Sequence, residues 1–545
     1  MTFGEGTFQE RLEWLRQETV GADAAIATPY GRRRVVYADY TASGRAIRSI
    51  ESYLLRMLEH YGNTHTEDDT TGAVTTARLH TAEQTIKRLL NADDSYKLIT
   101  VGSGATGAIQ RLQMILGLYV SPVMRERLEQ AGARHSLELP LPAAQRPVMF
   151  VGPFEHHSNE ISWRECYVEV REVELSDDGL FDLDDLERQL SDPALADRPK
   201  IGSFSAASNV TGVRAPTREI ASLMHRHGGA AFFDFAALAP YVAIDVRGEG
   251  DSYYDGVYLS PHKYLGGPGS CGLLLLHERH YRSDLPPTIG AGGTVEFVDF
   301  FSQDYVMDVE TREKPGTPPI LQTLRAALAL ELQEWLGPEQ IEQRERKIVS
   351  RVLTRLGSLP AVELVGNLDP DRRIGIVSFN VRHPDSGYLH PRFVVRLMDD
   401  LFGIQARAGC SCAGPYAHRL LGIDRSHSQA YKELIHGGHL GFKPGWVRVS
   451  FHYAMTDHEV DLLCEAIAFV AQHGPLFLQD YLFDVDSGVW GHHAAPPLQA
   501  DFGLEQAFAG DPELGDANTA GAAGAPLAAD RLLSEETARG GSLAN

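Results

Sequence analysis

The chain has 545 residues, 50 basic and 73 acidic, for a formal charge of −23. That balance argues against a nucleic-acid groove or an anionic membrane as the main partner, since both are gripped by excess positive charge. The length exceeds one core and predicts two or three units, and five cysteines are too few for a disulfide framework, which points to a reducing cytoplasm. No run approaches the roughly 20 apolar residues of a membrane span, and the acid and glycines of the first six residues do not read as a secretory signal.

In chain order, Thr7 and Glu10 form a capping box ahead of Phe8, Leu12 and Leu15, so an amphipathic helix opens an N-terminal segment, 1–34, assigned to a smaller domain. A strand follows at 35–39, then a turn at 40–45, a helix at 49–61 and a polar loop at 62–67. From residue 98 short apolar runs alternate with amphipathic ones: strands at 98–101, 148–151, 200–205, 230–235, 255–259 and 271–276, and helices at 106–118, 183–190 and 216–227. This alternation predicts an α/β large domain, 35–320, with a mainly parallel sheet flanked by helices and ligands at the carboxyl ends of the strands. Residues 121–146 read as an insertion and 285–319 as a long irregular arm.

Bridging helices at 321–336 and 338–356 lead into a smaller α+β C-terminal domain, 357–507. It has strands at 374–381 and 446–451 and helices at 391–401 and 457–472, the last capped by Thr456 and Glu459. Beyond 508 the sequence is dominated by Ala, Gly and Asp, and a disordered tail is expected over 508–545.

The candidate chemistry gathers at the predicted strand ends. Lys263 lies between two apolar strands beside Ser260 and His262, with Gly266, Gly267, Pro268 and Gly269 fixing the turn. A partly desolvated amine has a lowered pKa and is able to form a Schiff base. Ala105 and Thr106 sit among Gly102, Gly104 and Gly107 at a strand-to-helix junction, where free N–H groups favour a phosphate; plain turn chemistry is the alternative. His156 is placed to stack on a flat ring and move protons, or to cap a helix, and Asn209 offers a neutral amide. Asp234 ends an apolar strand and needs a partner, either a protonated pyridine nitrogen or a nearby cation. Cys410 and Cys412 are too close for an unstrained disulfide and read as reactive or buried thiols. Arg407 beside Cys412 would favour a thiolate, and Arg448, between Val447 and Val449 in a strand, suits a planar carboxylate.

Phosphate turn, histidine, asparagine, aspartate and lysine come in this order, strand by strand. Over residues 35–475 the chain resembles fold-type I pyridoxal-phosphate enzymes of the class V aminotransferase group, and within it the cysteine desulfurase and selenocysteine lyase branch. The resemblance implies a seven-stranded, mainly parallel sheet and a pyridoxal 5'-phosphate cofactor. Ala105, Thr106, Ser260 and His262 would hold its phosphate, His156 would stack on its ring, Asn209 would bond its phenolic oxygen, Asp234 would pair with its ring nitrogen, and Lys263 would carry the Schiff base. Cys412 would take sulfur as a persulfide, and Arg448 with Arg407 would grip the substrate α-carboxylate. Thr294, in the arm, would reach the neighbouring subunit's phosphate, which implies a homodimer with shared active sites.

The activity so implied is removal of sulfur from L-cysteine to give alanine, with delivery to a sulfur-acceptor protein in the cytoplasm and no metal. The alternative is another class V reaction on a different amino acid, such as C–S lysis, selenocysteine lysis, transamination or epimerisation, with Cys412 structural or redox-sensitive. Ala237 stands where desulfurases usually carry glutamine, Cys410 where close relatives have histidine, and residues 121–146 and 424–443 are extra; these departures bear on the substrate rather than the cofactor.

Overall fold

Seven strands make the central sheet, in the order Tyr96–Val101, Gly272–His277, Gly256–Leu259, Ala230–Asp234, Lys200–Ser205, Val148–Val151 and Glu169–Glu172. Gly272–His277 runs antiparallel to both its neighbours, and the other pairings are parallel. The inner strands are apolar end to end because helices cover both faces: every residue of Val148–Val151 and of Gly256–Leu259 is buried. The strand Glu169–Glu172 was not expected, since its four residues are Glu, Val, Arg and Glu; it is an edge strand, where charges discourage further pairing. The computed structural model describes residues 6–495 other than 65, 67, 136–140 and 386, so the expected tail at 508–545 lies outside the described residues.

A second sheet of four antiparallel strands follows the order Val362–Leu364, Ile376–Val381, Trp446–Ser450 and Arg407–Gly409. Helices Pro338–Gly357, Pro391–Phe402 and Asp457–His473 pack around it. The strand expected at 35–39 is only Val36–Tyr37, and it pairs in parallel with Ile404–Gln405 beside this second sheet. The opening helix, Phe8–Glu18, is held on the same side by Arg16, which donates from Nε to the carbonyl of Ala454 at 2.7 Å.

Several further elements escaped the sequence pattern, among them two helices and a hairpin. Helix Thr70–Leu89, capped by Asp69, packs along Ile320–Leu336, although Thr and Gly crowd its first turns. The insertion after residue 121 contains helix Pro122–His135. A C-terminal hairpin, Tyr481–Asp484 with Val489–His492, folds onto Pro391–Phe402, where Trp490 meets Phe393 at 4.9 Å and stacks on Phe483 at 4.7 Å. One segment, Asp457–Asp480, is by length and composition alone long and apolar enough to cross a membrane. Val460, Leu463, Ile467 and Val470 spend that apolarity on the core.

Candidate active site

The carboxyl ends of the central strands face the second sheet across a cavity of about 680 Å3. Every expected site residue except Thr294 lines it: Ala105, Thr106, His156, Asn209, Asp234, Ser260, His262, Lys263, Arg407, Cys412 and Arg448. Thr294 is buried in its own arm, where its hydroxyl donates to the Ala291 carbonyl at 2.7 Å.

Lys263 follows the short turn that leaves Gly256–Leu259. A second loop closes over this turn: the Gly44 N–H donates to the His262 carbonyl at 2.9 Å, and a Cβ at Gly44 would lie 2.0 Å from the Tyr264 carbonyl oxygen, so only glycine fits. Burial lowers the Lys263 amine to about 8, while Asp234 opposes the shift. Burial also raises the Asp234 carboxyl, partly offset by the Ala236 N–H and by Lys263. Only Oδ1 of Asp234 has a hydrogen bond among the described residues, from Ala236 at 2.8 Å; the other oxygen is available to a cationic group.

Helix Gly104–Ile115 points its N-terminus into the cavity with no side-chain cap. The Ala105 N–H donates to Ser260 Oγ at 2.8 Å, and Thr106 and Ser158 share a hydroxyl bond of 2.7 Å. Uncapped amides and hydroxyls around a helix start fit a phosphate dianion. His262 and His156 stand beside this cradle and are neutral at pH 7: burial, then Lys263, brings each to about 4. Ser270 Oγ, also on the cavity wall, is buried without a partner. Amine, unpaired carboxylate oxygen, neutral imidazole and anion cradle together match a phosphorylated pyridine aldehyde. Among the described residues no cluster of His, Cys, Asp and Glu is placed to hold a metal ion.

The thiol loop enters from the other side. Arg407–Gly409 is a strand of the second sheet rather than loop, and Ser411 and Cys412 after it both take φ of +55°, which costs about 1–3 kcal/mol per non-glycine residue. Three bonds from the large domain hold that strain. Asn209 Nδ2 donates to the Ser411 carbonyl at 2.6 Å, the His157 N–H donates to the Cys412 carbonyl at 2.8 Å, and the Gly414 N–H donates to His157 Nε2 at 2.9 Å. Asn209 Oδ1 stays buried and unpaired. Cys412 is exposed in the cavity, Cys410 is half-buried, and all five cysteines are free.

Sequence reasoning missed four residues here. Asp39 ties the two arginines together, 3.1 Å from Arg448 Nη2 and 2.9 Å from Arg407 Nη2, so Arg407 leans on a carboxylate rather than standing free beside the thiol. Arg448 is buried and donates a further bond to the Asn209 carbonyl at 3.0 Å. His157, next to the expected His156, clips the thiol loop. Arg392 lines the cavity as well, as does Lys443, five residues before Arg448. The adjacency of His157 to His156 was a usable signal; no local pattern marks the other three.

The aminotransferase class-V family pattern matches residues 136–463. The chain belongs to the class V aminotransferase family. Members of this family are pyridoxal-phosphate enzymes, in keeping with the cradle, amine and carboxylate just described. A protein from Halalkalibacterium halodurans named "Probable cysteine desulfurase" is 27% identical over 389 residues, 70% of this chain and 84% of the relative. One of the same name from Streptomyces coelicolor is 24% identical over 442 residues, 80% of this chain and 92% of the relative. A solved cysteine desulfurase from Thermococcus onnurineus superposes with a TM-score of 0.66 at 22% identity, covering 84% of this class V chain and 98% of the other, and another from Escherichia coli gives 0.59 at 21% identity, covering 85% and 98%. At such identities the superpositions establish the shared fold.

Proposed function

We propose that the chain is a cysteine desulfurase-like enzyme that removes sulfur from L-cysteine, leaves it as a persulfide on Cys412 and releases alanine. The observation that carries this reading is the meeting of an exposed thiol, Cys412, with a buried amine, Lys263, and a buried guanidinium, Arg448, in one cavity. Pyridoxal phosphate, held by Ala105, Thr106, Ser260, His262, His156, Asn209, Asp234 and Lys263, would supply an electron sink that stabilises negative charge at the substrate's α-carbon. Arg448, oriented by Asp39, receives the α-carboxylate, with Arg407 beside it. Lys263, with an amine near 8, is able to take a proton from the α-carbon and return it. Cys412 Sγ bonds to the substrate sulfur as the C–S bond opens, and the carbon ends with a C–H bond. Cysteine and thiol thus become alanine and persulfide with no outside electron donor.

A homodimer with shared sites fits the arm: its hairpin, Val295–Val298 with Gln303–Tyr305, leaves Phe300 and Phe301 99% and 95% exposed, and Thr294 at its base does not reach its own chain's cavity. A reducing, cytoplasmic setting suits the free thiols and the passing on of sulfur to an acceptor.

Incubation of the holoenzyme with L-cysteine tests the proposal: equimolar alanine and a persulfide mapping to Cys412, both lost in Cys412→Ala, are expected. A second reading, another class V reaction on an amino acid, is favoured by Ala237, which lines the cavity where desulfurases carry glutamine. Pyruvate and ammonia from the same incubation, or full activity in Cys412→Ala, would decide for it.

A further inference from the structure

Within a chain of charge −23, the active-site cavity is lined by five cations, Lys263, Arg392, Arg407, Lys443 and Arg448, and by one acid, Asp234. Asp39, behind the wall, pairs with both Arg407 and Arg448 and offsets one of their two charges. Arg392 and Lys443 have no carboxylate partner among the described residues. Arg392 is held in place all the same: its Nη1 donates to the Ser487 carbonyl at 2.8 Å, at the turn of the C-terminal hairpin. That turn also accepts the Gly441 N–H through Val485 at 2.8 Å and the Leu440 N–H through Asp486 at 3.0 Å, which fixes the segment leading to Lys443. The nearby acids are otherwise engaged, Asp484 with Ser487 and Asp486 with His439. His390, the third polar residue of this wall, is neutral; burial lowers it, and it contacts the Gly441 carbonyl at 3.0 Å. The hairpin therefore holds two uncompensated cations on the wall of the cavity that contains Cys412.

We propose that Arg392 and Lys443 form an anion subsite that brings a small thiol bearing a carboxylate onto Cys412, as the acceptor of its sulfur. The acceptor role rests on the desulfurase reading. The acceptor thiolate attacks the outer sulfur of the Cys412 persulfide; that sulfur's bond to Sγ breaks, the electron pair stays on Sγ, and a new S–S bond forms on the acceptor, so no further oxidant or reductant is needed. The negative total charge favours a small anion over an acidic macromolecule: long-range repulsion acts on the latter, whereas within the cavity the local cations dominate over a screening length of about 8–10 Å.

Alkylation of Cys412 in the holoenzyme by iodoacetate and by iodoacetamide, read by peptide mass spectrometry, isolates the charge effect. The iodoacetate-to-iodoacetamide rate ratio is expected to exceed that of free cysteine by about tenfold, to fall about fivefold in Arg392→Gln and in Lys443→Gln, to stay unchanged in the remote Lys347→Gln, and to decline with added salt. With persulfide preloaded from L-cysteine, 3-mercaptopropionate should likewise accept sulfur faster than its neutral amide. A wild-type ratio no higher than free cysteine, a raised ratio that survives in both variants, or equal acceptance by the two thiols overturns the proposal. Alkylation needs no L-cysteine, so its failure leaves the desulfurase reading standing, and a missing alanine product leaves a raised ratio standing.

Discussion

Asp39 and Arg448 form an ion pair of 3.1 Å across 409 positions of the chain, and Arg407 joins them at 2.9 Å. The pair is nearly dry, with side chains 13% and 5% exposed. A substrate carboxylate arriving at Arg448 meets a guanidinium already fixed in angle by an internal carboxylate.

Removing that carboxylate leaves the Arg448 charge buried without its counterion. Asp39→Asn is expected to lower unfolding free energy by about 2–4 kcal/mol, read from urea midpoints, and added acetate to recover part of the loss. A variant as stable as the parent would show that Asp39 contributes nothing there.

Lys263 titrates near 8 in the folded protein against an ordinary value of 10.5. Between those values the unfolded chain binds the extra proton, so the stability of the cofactor-free protein rises with pH over this window, by about 3 kcal/mol. Lys263→Met should lack the increment in denaturant curves at pH 7.5, 9 and 10. Parallel pH profiles for the two proteins would refute the assignment.

His452 is wholly buried, and desolvation lowers it to about 3. Its Nδ1 accepts from the Ala454 N–H at 3.2 Å, while Nε2 has no partner and its ring lies flat on Tyr40 at 4.0 Å. Here too the unfolded chain binds the proton first, so stability is lost as pH falls from 6.5 towards 3. His452→Phe keeps the stacking and drops the titration; between pH 6.5 and 4 it should lose about 3 kcal/mol less than wild type, as followed by thermal melts across that range.

The exposed arm offers a test by association. Wild type is expected to sediment as the proposed homodimer and the variant with Phe300→Glu and Phe301→Glu as a monomer, whereas equal masses for the two would refute a dimer built on the arm.

Much of this architecture was legible in sequence because strand ends carry short, local signals. The amine at 263, the acid at 234 and the glycines around Ala105 announce themselves within a few residues. Asp39 did not, because its partners are two arginines far along the chain and nothing near it marks a buried acid. The strand Val36–Tyr37 was expected, over 35–39, but its partner Ile404–Gln405 is too short to show a period, and Glu169–Glu172 is charged because it is an edge. Helix Thr70–Leu89 begins in poor helix formers and draws its stability from Ile320–Leu336, a tertiary effect that no local window contains. The hairpin ending at His492 is legible only once Phe393 is there for Trp490 to cover.

The pairing of Val36–Tyr37 with Ile404–Gln405 carries a consequence for synthesis. A ribosome adding roughly 5–20 residues per second exposes the first segment about 20–70 s before its mate emerges. For that interval Val36 has no strand partner, although the opening helix already has Ile320–Leu336 to pack on, with Trp14 meeting Trp335 at 5.0 Å. A nascent chain arrested before position 404 would present a finished central sheet with the edge of Val36–Tyr37 left open.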